Sequence, residues 1–187
     1  DKKDPWKISK VARSFIAGLL KRAPEITLVT NQWVNSYKRF VPGFEAPTHI
    51  SWGRANRSDL IRVPTYKRGS DDSARIEYRA PDPACNPYLA FATMLAAGLE
   101  GVTKNYEPPE AVEENIFTLS EADRKARGIQ ILPESLSDAI KIAESSNFLK
   151  KTLGPQLFQS LIENKKLEWE NFRTDVTGYE TKRYLKM

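Results

Sequence analysis

Residues 75–90 read Arg75-Ile76-Glu77-Tyr78-Arg79-Ala80-Pro81-Asp82-Pro83-Ala84-Cys85-Asn86-Pro87-Tyr88-Leu89-Ala90, and the chain changes character within them. The first part alternates with period two. Arg75, Glu77 and Arg79 share one face, and Ile76, Tyr78 and Ala80 share the other, which is the pattern of a strand. The second part opens a helix. Asn86 is a capping residue, and Pro87 stands at the first helical position, where its missing N–H does no harm. The run Tyr88 to Val102 is rich in Ala and Leu and apolar nearly all round, so this helix is expected to be buried on several sides. Upstream lie two more strand candidates, His49–Trp52 and Leu60–Val63, and the third spans Ala74–Ala80. Downstream the patterns are helical. Strands early and helices late indicate an α+β fold rather than regular βαβ units.

Working outward, Ser9 to Ala23 reads as an amphipathic helix, with Ser9 as N-cap and Pro24 closing it. Residues 26–30 (Ile-Thr-Leu-Val-Thr) read as a short strand or a buried connection, and 31–38 as a short helix or turn. Residues 40–47 form a loop punctuated by Pro and Gly. Residues 105–133 are polar, hold Pro108, Pro109 and Pro133, and are expected as a surface excursion with short helical pieces. Ser135–Ser145 and Gln156–Phe172 read as further helices, and residues 179–187 as a last short one. The organisation is therefore a β/α part over 1–104, the excursion over 105–133, and a helical region over 134–187.

Composition narrows the function. The chain has 187 residues, of which 40% are hydrophobic and 28% charged, as in a globular protein with its own core. A lone cysteine, Cys85, rules out an internal disulfide, and a lone histidine, His49, rules out a Cys/His zinc site. Cys85 reads as a small buried hydrophobe, His49 as a structural residue, and the dispersed tryptophans as no stacking platform. No apolar run reaches the roughly 18 residues of a membrane helix, and the first residues lack the apolar core of a signal peptide. A soluble, reducing, cytoplasmic setting is expected. Asp1 in first place reads as the cut end of a longer chain. The net charge is +5, from 29 Lys and Arg against 24 Asp and Glu. Acids are interspersed with bases, which argues against a nucleic-acid binder. The exception is residues 38–79, with seven arginines (39, 54, 57, 62, 68, 75 and 79) against Lys38 and Lys67. Guanidinium is suited to planar, bidentate recognition of carboxylate and phosphate. Arginines around Glu45 and Glu77 suit a site for several negative groups, with Glu77 able to hold a divalent cation.

These segments resemble glutamine synthetase of the bacterial and archaeal type I class. Asn35-Ser-Tyr-Lys-Arg-Phe-Val-Pro-Gly-Phe-Glu-Ala-Pro47 resembles its flap. Asn56-Arg-Ser-Asp-Leu-Ile-Arg-Val-Pro64 resembles its ATP-site signature. Arg75 to Pro83 followed by Asn86-Pro-Tyr-Leu-Ala90 resembles its catalytic strand and following helix. The resemblance implies an antiparallel-rich sheet packed with a helical C-terminal half. It also implies ATP-dependent ligation of ammonia to the γ-carboxylate of L-glutamate through γ-glutamyl phosphate. By resemblance, Arg39 and Arg79 hold glutamate and the developing phosphoryl group. Arg57 lies between ATP phosphate and glutamate, Arg62 and Arg75 contact ATP phosphates, and Glu77 is one ligand of Mg²⁺ or Mn²⁺. Glu45 on the flap closes the site and helps take a proton from ammonium. The chemistry is consistent with each role. Phosphoryl transfer needs cationic charge on the transferring group, and an acyl phosphate must be kept from water.

The match is partial. The family's complete subunit is far longer, and its N-terminal small domain and remaining metal ligands lie upstream of the matched part. Only Glu77 of the metal set is present, so this polypeptide alone is expected not to make glutamine. Gln32-Trp33 stand where the family often has Pro-Thr, and Phe44 replaces a common Tyr. Phe117 stands where some members carry an adenylylated tyrosine, which places the chain with the non-adenylylated branch. There the C-terminal segment helps join two hexameric rings into a dodecamer, and Tyr179, Tyr184 and Leu185 would supply a docking face. Two other readings stay open, a γ-glutamyl-amine (polyamine) ligase of the same fold and a non-catalytic assembly module.

Overall fold

The computed structural model describes Asp1 and residues 3–41, 44, 46–54, 56–65 and 74–185. Helix α1 spans Lys10–Thr30 and runs through the middle of the molecule. Ser9 caps it, its hydroxyl accepting from the Ala12 N–H at 3.1 Å. Pro24 does not end this helix, and residues 26–30 are not a strand: all five are buried within α1. A proline removes one hydrogen bond, and β-branched residues resist the helix only weakly. Burial outweighs both, and the Thr27 and Thr30 hydroxyls donate back to the Ala23 and Ile26 carbonyls at 2.7 and 3.2 Å. A short helix α2, Val34–Tyr37, follows.

Strands β1 (His49–Arg54), β2 (Asp59–Val63), β3 (Glu77–Tyr78) and β4 (Gln130–Ile131) form one sheet in the order β3-β2-β1-β4. The central pair β1–β2 is parallel, and both outer pairs are antiparallel. Arg62 lies opposite Glu77, and His49 opposite Asp59. Ile16, Leu19, Ile26 and Leu28 of α1 and Leu60 and Ile61 of β2 are within 1% of complete burial and form the centre of the core.

Helix α3, Pro87–Thr103, starts as its sequence dictates, with Asn86 Oδ1 accepting from the Tyr88 and Leu89 N–H groups at 3.0 and 3.3 Å. It crosses α1 at very close range. A Cβ on Gly18 would lie 2.2 Å from the Ala97 carbonyl oxygen, and one on Gly101 would lie 2.1 Å from that of Ser14. The buried face of α3 therefore consists of small residues: Ala90, Thr93, Ala97, Gly98 and Gly101. The expectation of burial on several sides is corrected here. Tyr88, Phe91, Leu95 and Leu99 are exposed, because a crossing this tight leaves no room for large side chains.

Residues 105–133 hold a 3₁₀ turn at Ile116–Thr118, helix α4 (Glu121–Ala126) and edge strand β4. They bury Val112, Ile116 and Leu132. The chain ends in helices α5 (Leu136–Glu144), α6 (Asn147–Leu153), α7 (Pro155–Thr174) and α8 (Gly178–Tyr184). Helix α6 has no counterpart in the sequence reading. It is capped by Ser146 and separated from α7 by Gly154, whose φ of +77° is the left-handed conformation glycine adopts readily. No described helix is long and apolar enough to cross a membrane.

Candidate anion-binding site

The site is built where the turn before β2 meets the end of β3. Asn56 shapes the turn: its Oδ1 accepts from the Ser58 N–H and hydroxyl at 3.0 and 2.8 Å. Its Nδ2 donates to the Val112 and Glu114 carbonyls at 2.9 and 2.8 Å. One amide thus ties residues 56–58 to the 112–116 segment, and the Ile116 N–H donating to Ser58 Oγ at 3.2 Å completes the tie. Arg57, between the two tethered residues, is left exposed.

The strand β3 brings its charges to the same place. Arg79 extends the β2–β3 pairing, its N–H donating to the Leu60 carbonyl at 2.9 Å. Its Nη1 donates to the carbonyls of Arg57 and, at 3.1 Å, Asp59, so the guanidinium braces the turn that carries Arg57. Arg57, Arg62 and Arg79, with Asn56, Ser58, Phe44, Asn115 and Phe117, line an open cleft of about 660 Å³. Arg79 also lines an adjoining hollow of about 430 Å³ together with Arg39, Phe44 and Pro81. Arg39 is held there by Asp82 at 3.1 Å. Burial pushes the Asp82 carboxyl up, but hydrogen bonds from the Ala84 N–H and Arg39 outweigh it and leave the pKa below its ordinary value.

Glu77 is gripped by two guanidinium groups. Arg62 Nε donates to its Oε2 at 2.8 Å, and Arg75 Nη2 to its Oε1 at 3.0 Å. Positions 75 and 77 are thus joined in an ion pair, and Arg62 links that pair to the cleft lined by Arg57 and Arg79. Arg39 stands across the adjoining hollow. Glu45 lies outside the described residues.

Do these residues fit a divalent ion? Among the described residues no group of three Asp, Glu, His or Cys side chains is placed to hold a metal, and both oxygens of Glu77 already face arginine. They do not make a metal centre by themselves. His49 is buried in β1, bonded to Thr48 Oγ1 at 2.8 Å and edge-on to Phe117. Burial, with the charge of Arg124, keeps its pKa below the usual value. Cys85 is half-buried, and burial raises its pKa, as does Asp82. Trp6 and Trp52, far apart in sequence, lie 4.8 Å apart against α1 with Arg13 over both rings.

One residue of this site escaped the sequence reading. Asp59, at the start of β2, is completely buried. Its Oδ1 accepts from Ser51 Oγ at 2.6 Å, while Oδ2 has no hydrogen-bond partner. Burial pushes its pKa up to about 7, against the Ser51 hydrogen bond; Glu113 adds to the rise, and Arg79 and the Asn56 amide oppose it. The signal was an acid heading the otherwise apolar stretch Asp59-Leu60-Ile61.

Three arginines on the cleft, with Arg75 on its flank, make it an acceptor for a polyanion such as a polyphosphate. Comparison with known proteins agrees with that chemistry. The family model described as "Glutamine synthetase, catalytic domain" matches residues 1–184. A glutamine synthetase of Mycolicibacterium smegmatis is 52% identical over 184 residues, covering 98% of this chain and 41% of that protein. One from Methanococcus maripaludis is 51% identical over 187 residues, covering all of this chain and 41% of that protein. Among solved structures, ligand-free GmaS superposes with a TM-score of 0.82 at 30% identity, over 99% of this chain and 40% of that one. A GmaS complex with ADP matches with the same score and identity. The chain thus spans about two-fifths of the length of the relatives it matches.

Proposed function

This chain belongs to the glutamine synthetase catalytic-domain family, and we propose that it supplies the phosphate- and glutamate-binding side of an ATP-dependent glutamate–ammonia ligase. The observation that carries this is the gathering of Arg57, Arg62 and Arg79 on one cleft, with Arg75 on its Glu77 flank. In this reading Arg57, Arg62 and Arg75 take the ATP phosphates. Arg79, shared between the cleft and the hollow, faces the reacting carboxylate, and Arg39 holds glutamate from the far side. That a GmaS of the same fold forms a complex with ADP supports a nucleotide as a ligand of this chain.

The γ-carboxylate oxygen of glutamate attacks the terminal phosphorus of ATP, and the bond to the bridging oxygen breaks as ADP leaves. Ammonia then attacks the acyl carbon, and phosphate departs. The chain's own contribution is fixed positive charge. Guanidinium groups already braced by carbonyls and carboxylates meet the negative transferring group without reorganising. Glu77 orients Arg62 and Arg75 rather than acting as a complete cation site. Glu45, on the flap, takes the ammonium proton. Identity of 52% to a glutamine synthetase against 30% to GmaS favours ammonia as the amine over the related ligase reading. The exposed Tyr179, Tyr184 and Leu185 at the C-terminus supply an apolar face for subunit assembly, consistent with a dodecamer of two rings. The isolated chain makes no glutamine.

The test is ADP binding by the 187-residue chain, followed by calorimetry at low salt. Binding weakened about ten-fold by Arg57→Gln or Arg79→Gln, with a strong salt dependence, is the expected result. Absence of ADP binding, or binding indifferent to both substitutions, removes the assignment.

A further inference from the structure

Beneath the arginine cleft two oxygens border the same small space beside Gly53. A Cβ placed on Gly53 would lie 2.3 Å from Asp59 Oδ2 and 2.3 Å from the Val112 carbonyl oxygen. The absence of a side chain at Gly53 lets them share that space. Asp59 Oδ2 is a fully buried acceptor without a partner. An unsatisfied buried polar atom is costly, and two facing acceptors repel. A proton on Oδ2 lifts the repulsion and turns a bare acceptor into a donor beside the Val112 carbonyl.

The position of this pair connects it to the cleft. The Val112 carbonyl also accepts from Asn56 Nδ2, the bond that ties the Arg57 turn to the 112–116 segment. The Asp59 carbonyl accepts from Arg79 Nη1. We propose that Asp59 is a positioning residue that couples proton uptake to anion binding. Protonated, it joins the Val112 carbonyl and holds the Asn56–Ser58 turn in place. Ionised, it repels that carbonyl and sets a buried negative charge beneath Arg57 and Arg79. An anion in the cleft therefore binds more tightly when Asp59 is protonated, and by reciprocity raises Asp59's affinity for its proton. The charged neighbours are few. Arg79 from the end of β3 favours ionisation, and Glu113 opposes it. His49, opposite Asp59 on β1, is buried, and burial together with the charge of Arg124 lowers its pKa. Burial places the titration of Asp59 near neutrality.

This inference rests on the cleft being a polyanion site, and the experiment separates the two. Carboxyl ¹³C resonances of the Asp-labelled full chain follow Asp59 directly, with and without ADP, between pH 4 and 9. The expected result is a midpoint near 7 that moves upward when ADP is added. In parallel, ADP affinity is measured at pH 6 and pH 8 for the parent chain and for Asp59→Asn, which mimics the protonated acid. The parent loses about ten-fold in affinity over this interval beyond any change seen in Asp59→Asn. A midpoint below 5 overturns the inference whatever the cleft binds. An identical pH profile in Asp59→Asn overturns it while leaving the anion site standing. A chain in which Asp59 titrates near 7 but ADP binds at no pH overturns the anion-site reading, and the coupling falls with it.

Discussion

Asp59→Asn should stabilise the folded chain, by an amount that depends on pH in a defined way. The folded carboxyl has its pKa raised from 3.8 to about 7 by burial. Each unit corresponds to about 1.4 kcal/mol, so keeping Asp59 ionised in the fold costs about 4 kcal/mol. The side chain is wholly buried, so solvent does not screen this penalty. The sign follows from proton counts. Below about pH 4 the carboxyl is protonated in both states, and no penalty exists. From pH 4 to about 7 the unfolded chain has lost its proton while the fold retains it, so stability falls steadily as pH rises. Above 7 both are ionised, and the full penalty persists. Asparagine has the shape of the protonated acid, can accept from Ser51 Oγ as Asp59 does, and presents a donor where Oδ2 lies unpartnered. Its advantage should therefore be near zero at pH 4, about 1–2 kcal/mol at pH 5 and about 4 kcal/mol at pH 8. Urea titrations at these pH values, followed by tryptophan fluorescence (Trp52 is buried in β1), measure the difference. A constant difference across the range, or destabilisation at pH 8, would refute the reasoning.

Three further outcomes follow from the same structure. Gly18→Ala drives a Cβ into the Ala97 carbonyl, a backbone atom that cannot swing away, and should cost about 3 kcal/mol, read as a lowered urea midpoint. Asn86→Ala removes the cap of α3 and should cost about 1 kcal/mol with little loss of overall helix, as followed by circular dichroism and urea titration together. Glu100, hydrogen-bonded by Arg22 at 2.7 and 2.9 Å, is held at about 2 chiefly by that interaction. Its stabilisation is present above pH 4.5 and lost as pH falls toward 2, so Glu100→Gln should cost about 2 kcal/mol at pH 7 and almost nothing at pH 2. A cost that stays constant through acid titration would show that packing, not charge, is the source.

Local chemistry made much of the molecule legible. Ser9, Asn86 and Ser135 sit at helix starts because a short polar side chain can reach its own backbone N–H groups, which requires no neighbour. The two central strands were readable for a similar reason, since alternation and turn residues are written along the chain; the reading of Ala74–Ala80 shrinks to the two-residue edge strand Glu77–Tyr78. The arginine-rich motifs could be recognised as one site because phosphate and carboxylate chemistry demands guanidinium groups wherever the chain brings them together.

What the sequence could not supply is what depends on distant contacts. Ile26 to Thr30 has the composition of a strand and is helix because its side chains are buried in the core. The outward face of α3 follows from how closely Gly18 and Gly101 let two backbones approach, a property of the crossing and not of either helix. The grip of Arg62 and Arg75 on Glu77 depends on strand register, which pairs positions fifteen residues apart. Asp59 shows the division most clearly. In the sequence it is an ordinary acid beside an arginine motif. Only the fold removes water from it, sets its unpaired oxygen against a carbonyl and so moves its titration to neutral pH. Residue types and local hydrogen bonds determined which groups this protein has to work with. Packing determined the dielectric and the partners each group meets, because burial and register are set by residues far away along the chain.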